Sequence, residues 1–160
     1  MTTVAVRLLA ALTLSVAAVD LSAQGALGDR YAVIPRPDVL TPHTGAFTIT
    51  SATTVAASPA FASVARRFVR DVANPTGFDL VVRPATAAVR GIVVRQVKGL
   101  GDEAYRLDVT TSGIVAEAST PAGAFYALET VKQLLPPAIY RDAPIPGTTW
   151  SVPAVHIEDA

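Results

Sequence analysis

Two stretches of this chain begin and end on the same punctuation, and that limits what it can fold into. Ser58-Pro59 and Thr120-Pro121 each place a hydroxyl residue able to cap free helical amides before a proline pre-set for the first helical turn. After the first signal, Phe61, Val64, Ala65, Phe68 and Val72 recur at helical spacing, while Arg66, Arg67, Arg70 and Asp71 fall mostly on the opposite side. Asn74-Pro75 is expected to end that helix, because proline disfavours helical geometry in the residue before it. After the second signal, Phe125, Leu128, Val131 and Leu135 form one face before the stop at Pro136-Pro137. Two one-sided helices need a second layer to cover them.

The rest of the chain supplies that layer. Tyr31–Ile34, halted by Pro35-Arg36-Pro37, reads as a short strand, and Phe47–Thr50 as a second. Leu80–Val82 and Ile92–Val94 are short apolar runs of the kind found in buried strands. Tyr105, Leu107 and Val109 alternate with Arg106, Asp108 and Thr110, giving a strand with one dry face and one wet face. Thr111-Ser112-Gly113 is a tight turn, and Ile114–Ala118 returns as the hairpin partner. Pro144–Thr149 reads as a loop and Trp150–Ile157 as a last strand. Each helix lies between strands. The expected fold is α+β, a two-layer sandwich with a mixed β-sheet and both helices on one face.

The first residues follow a different logic. Arg7 precedes an apolar run from Leu8 to Val19, and small residues at Ala17, Ala18, Ser22 and Ala23 lead into polar sequence. That order is a secretory signal peptide, and the run is shorter than the roughly 20 residues that span a bilayer. Residues 1–23 are therefore expected to be removed, with Ala18 the alternative cut, leaving 24–160 as one exported domain (periplasmic or extracellular) without a membrane anchor. There is no cysteine, which excludes disulfides, thiolate metal sites and a lipid anchor on cysteine. Thirteen basic and thirteen acidic residues balance to zero net charge, and the basic ones form no stripe, so nucleic acid is not an expected partner.

No group of residues reads as a reaction centre. Glu158-Asp159 is a carboxylate pair of the type that cleaves glycosidic bonds. Adjacent residues on a strand point to opposite faces, however, and no pocket is expected behind them. Gly99-Leu100-Gly101-Asp102-Glu103 precedes a strand, not the helix N-terminus a phosphate cradle wants, and reads as a solvated loop. His43, in a Pro-rich loop, and His156, in the last strand, lack zinc-ligand spacing. Ser58, Ser63 and Ser112 have no nucleophile-elbow setting. Gly91 and the Val94-Arg95 strand carry no motif. Trp150 suits a core or interdomain anchor better than a sugar platform. No catalytic, cofactor-binding or metal-binding residue is assigned.

Three stretches in order nevertheless carry a family pattern. They are Val33-Ile34-Pro35-Arg36-Pro37, then Tyr105–Val109 with Gly113–Ala118 and the helix Gly123–Leu135, then Trp150–Asp159. Together they resemble the N-terminal domain of family-20 glycoside hydrolases, the β-N-acetylhexosaminidases, over almost everything from Tyr31 to Ala160. Ala127 stands where a glycine is more usual. The resemblance implies the hexosaminidase N-terminal, zincin-like sandwich. It also implies that a (β/α)8 barrel carrying the catalytic Asp and Glu follows in a longer protein, so Asp159 matches a linker position and not the acid.

A parent of that kind would release terminal N-acetylhexosamine from chitin, glycan or peptidoglycan fragments. The substrate's own acetamido group would act as nucleophile, and no metal or organic cofactor is implied. The expected partner is that barrel, with carbohydrate reached through it. An independent carbohydrate-binding module and the N-terminal domain of a glycosidase for another sugar are the alternatives.

Overall fold

The computed structural model describes residues 30–85 and 90–160. The expected signal peptide lies outside the described residues, as does most of the alanine patch Ala85–Ala88. Seven strands, β1 (Val39–Thr48), β2 (Thr54–Ala57), β3 (Val81–Pro84), β4 (Gly91–Gln96), β5 (Tyr105–Thr110), β6 (Gly113–Ala118) and β7 (Ser151–Asp159), form one sheet in the order β1-β7-β5-β6-β4-β2-β3. Two helices, α1 (Ala62–Thr76) and α2 (Pro121–Leu134), connect β2 to β3 and β6 to β7. β2 lies parallel to β3 and β4, and β4 parallel to β6, while β5 and β1 run antiparallel to their neighbours. The mixed sheet with two touching helices on one face is the architecture expected from the sequence.

The core lies between the sheet and the helices. Leu107, Val109, Ile114, Ile92, Val94, Val55 and Ile157 meet Phe61, Phe68, Val72, Leu128 and Val131, all buried. The hairpin forms with Arg106 opposite Glu117 and Leu107 opposite Ala116, so one face is dry and the other charged. Only small residues let α2 come this close to the sheet: Gly123, Ala124 and Ala127 are buried, and Phe125 is turned to the flank, half-buried. The apolar stripe expected to include Phe125 is therefore centred on Ala124, Leu128 and Val131 instead. Ala127, the departure from the family pattern, is fully buried without disturbance.

Several local expectations are corrected. Tyr31–Ile34 is not a strand; it is an irregular, turning segment with a cis Ile34–Pro35 peptide, held by Tyr31 Oη donating to Ala154 O at 3.0 Å. His43 sits on β1, not in a loop. β1 tolerates Pro42 because it is an edge strand paired only with β7, and it bulges between Pro42 and Ala46. The expected second strand is only the end of β1, and the four-residue β2 carried no pattern of its own.

The helix ends differ from expectation too. Ser58 does not cap α1: its Oγ accepts the Gln96 N–H at 3.0 Å, and Pro59–Phe61 forms a 3-10 turn before the helix. Nor does Pro75 stop α1. The helix runs through it to Thr76 and closes at Gly77, whose φ of 70° and N–H to Ala73 O make a left-handed cap. At the far edge, Val81 of β3 is 53% exposed, so that run is half open to water and not a buried strand.

Candidate functional site

A hollow of about 510 Å3 lies where α2 meets the start of β5 and the end of β7. The segment Val33-Ile34-Pro35 forms its outer wall, and Gln133 of α2 fastens that wall. The Ile34 N–H donates to Gln133 Oε1 at 2.7 Å, and Gln133 Nε2 donates to Ile34 O at 3.1 Å. Phe125 and Tyr126 supply an aromatic side, with Tyr126 41% and Ile34 78% exposed. Glu103, Glu129 and Asp159 line the same space. The sequence reading placed no pocket behind Glu158-Asp159, and this one beside Asp159 corrects it. Only the fold brings a turn, a helix and a strand end together there.

Several polar groups in and around the hollow are already engaged. Tyr105 Oη and Thr130 Oγ1 share a buried hydrogen bond of 2.7 Å, and burial pushes the phenol above its ordinary range, so it does not serve as a base near neutrality. Glu129 accepts from Lys132 Nζ at 3.0 Å, and Asp71 of α1 accepts from the same ammonium at 3.3 Å. Burial works to lower the Lys132 pKa, but the bonded Glu129 and the nearby Asp71 outweigh it and hold the pKa above the usual lysine value. Lys132 thus works as a clamp between the two helices, beside Arg67, whose guanidinium lies 4.8 Å from the Phe125 ring centre.

Glu158 and Asp159 do not form an acid–base pair. Glu158 stands opposite Arg106 on the helix-free face of the sheet, with its carboxylate 3.3 Å from Arg106 Nε; Asp159 stands opposite Tyr105 and lines the hollow. Both residues line a smaller groove of about 220 Å3 at the strand ends, beside Asp38.

The remaining sequence candidates are scattered. Asp102 and Glu103 are exposed in a turn, where Asp102 O accepts the Thr120 hydroxyl and Thr120 Oγ1 in turn caps Gly123 N–H at 3.3 Å. His43 is exposed on β1 and does not line the hollow. Trp150 is 3% exposed and belongs to the core. Ser63 and Ser112 are exposed, with Ser112 Oγ 3.0 Å from Thr110 Oγ1 in the hairpin turn. Among the described residues no three His, Asp or Glu side chains gather to hold a metal, and no helix is long and apolar enough to cross a membrane.

One mixed sheet covered on one face by two helices, with an aromatic and carboxylate-lined hollow at the exit of the last strand, makes this a two-layer α+β domain. The family description "Glycosyl hydrolase family 20, domain 2" matches residues 30–160, so the chain belongs to that family.

Solved relatives share the fold. The family-20 β-N-acetylhexosaminidase of Streptomyces coelicolor A3(2) is 34% identical with a TM-score of 0.71, and the match covers 82% of this chain and 26% of that one. The N-acetyl-β-hexosaminidase of Streptomyces plicatus is 36% identical with a TM-score of 0.69, over the same shares. The lacto-N-biosidase of Bifidobacterium bifidum is 29% identical over 110 residues, which is 66% of this chain and 10% of that protein. The chain thus spans about a quarter of the solved enzymes and a tenth of the curated relative.

Proposed function

We propose that this chain is the non-catalytic N-terminal domain of an exported β-N-acetylhexosaminidase-like glycoside hydrolase. The parent would remove terminal N-acetylhexosamine through a catalytic barrel following residue 160. The observation that carries the reading is the family match along residues 30–160, joined to the divergence of Glu158 and Asp159 onto two sides of the sheet. The domain's work would be mechanical. Its hollow, rimmed by exposed Ile34 and Tyr126, offers apolar area for a following domain to cover. Export rests on the charge and hydropathy order of residues 1–23 alone. The burial of Trp150 weighs against an independent sugar-binding module, which would need that ring on the surface.

The test is an assay of the purified chain with a chromogenic N-acetyl-β-glucosaminide, run beside a full-length family-20 enzyme. The chain is expected to match the buffer blank. Turnover that scales with its concentration and survives repurification would refute the non-catalytic reading.

A further inference from the structure

The face of the sheet away from α1 and α2 carries a row of paired charges on β5 and β7. Residues directly opposite on neighbouring strands share a face, so the registers Asp108↔His156 and Arg106↔Glu158 put four charged or titratable groups side by side on β5 and β7. The His156 ring is held at both nitrogens: Nδ1 lies 2.6 Å from Asp108 Oδ1, and Nε2 lies 3.4 Å from Glu158 Oε1. A neutral imidazole offers one donor and one acceptor, whereas the imidazolium offers two donors. Two carboxylates facing the two nitrogens are satisfied together only by the cation.

We propose that His156 acts as a pH-dependent staple, which locks β7 onto β5 when protonated under mildly acidic conditions and loosens that seam as the pH rises. With the ring charged, His156 and Arg106 balance Asp108 and Glu158; with the ring neutral, Glu158 keeps Arg106 while Asp108 faces an uncharged imidazole. Among the described residues, no other strand sets a substitute cation opposite His156. β1 sets uncharged Thr41 opposite His156, and its only titratable residue is His43 in the bulge. β6, beyond β5, sets Glu117 opposite Arg106, and Glu117 is itself paired with Arg95 of β4 at 3.8 Å. The helices lie on the other face.

The energetics agree with the geometry. The bond to Asp108 is the largest influence and raises the His156 pKa; partial burial opposes it, and Glu158 adds to the rise. A group whose folded pKa is raised contributes stability that is complete below the ordinary histidine value of about 6.5 and is lost as pH climbs through the folded value. The staple sits on the strand that carries the last residues of the chain, so what it regulates is the grip on that strand.

The experiment is a proton NMR titration of the His156 ring in the whole chain, paired with thermal melts from pH 5 to 8.5 of wild type, His156→Gln and Asp108→Asn. The expected midpoint for His156 lies above that of free histidine and falls in Asp108→Asn. Wild type is expected to lose about 2–4 °C across that range relative to His156→Gln, an effect kept small by partial solvent exposure. A midpoint at or below that of free histidine overturns the proposal even if neither variant folds. So does a difference between wild type and His156→Gln that stays constant with pH.

Discussion

Gly123 is the point at which α2 is set on the sheet, and replacing it with alanine tests the packing directly. A Cβ at that position would lie 2.3 Å from Ala104 O and 3.1 Å from the Ala118 Cβ. Carbon atoms at their optimum lie roughly 3.5–4.0 Å apart, so the first turn of α2 must retreat by about 1 Å. The retreat is costly because Ala104 O is backbone at the entry to β5 and has no rotamer to move. It would also open a gap under Ala124, Ala127 and Leu128, whose contacts weaken steeply with distance.

The opposing term is helix propensity, since alanine is better than glycine in a helix by up to about 1 kcal/mol. Overpacking costs about 1–3 kcal/mol, and a clash against main chain belongs at the upper end, so the net loss expected is about 1–2 kcal/mol. Urea unfolding followed by far-UV circular dichroism reads this as a lower midpoint with an unchanged slope. Ala122→Gly, at the exposed neighbouring position, is the control and should lose about 0.5–1 kcal/mol from propensity alone. If Gly123→Ala unfolds at the same or a higher urea concentration than wild type, α2 does not sit on the sheet at the distance described and the argument fails.

Two further outcomes follow from the hollow. Thr130→Val removes the partner of the buried Tyr105 hydroxyl and should cost about 1–3 kcal/mol in urea unfolding, while Tyr105→Phe combined with it should recover part of that loss. Gln133→Leu cuts both bonds to Ile34 and should raise amide exchange and protease cleavage at Val33–Pro35, with a global loss no greater than about 2 kcal/mol, as expected for exposed hydrogen bonds.

The legible parts of this fold were those set by local periodicity. The alternation in Tyr105–Thr110 and the 3.6-residue stripe of α1 each need one neighbouring layer and are read from consecutive residues. Most of the misread parts were set by partners distant in sequence, though not all. Ser58 resembles a helix cap until Gln96 arrives from β4 and claims its hydroxyl, and Pro75 resembles a stop until Gly77 is seen to provide the real one two residues later. β2 has only four residues, and its identity comes from lying between β3 and β4. Gly91, which carried no motif, proves structural. Its φ of 130° and the 2.3 Å separation between a Cβ there and Thr54 O reserve the position for glycine, and Gly113 on the next strand is squeezed against Gly91 O in the same way.

The same reasoning explains why the sequence assigned no site residue and the structure still offers two arrangements worth testing. Glu103, Glu129 and Asp159 belong to a turn, a helix and a strand end, and nothing in their spacing announces a shared hollow. His156 and Asp108 are 48 residues apart, and their 2.6 Å contact exists only because β7 takes one register against β5. A shift of that register by one residue would send His156 into the core and Ile157 into water, so the apolar pattern of β7 also fixes the charged pairing. The ion row is therefore a consequence of core packing read from the opposite face: Leu107 against Ile157 on the dry side compels Asp108 against His156 on the wet one.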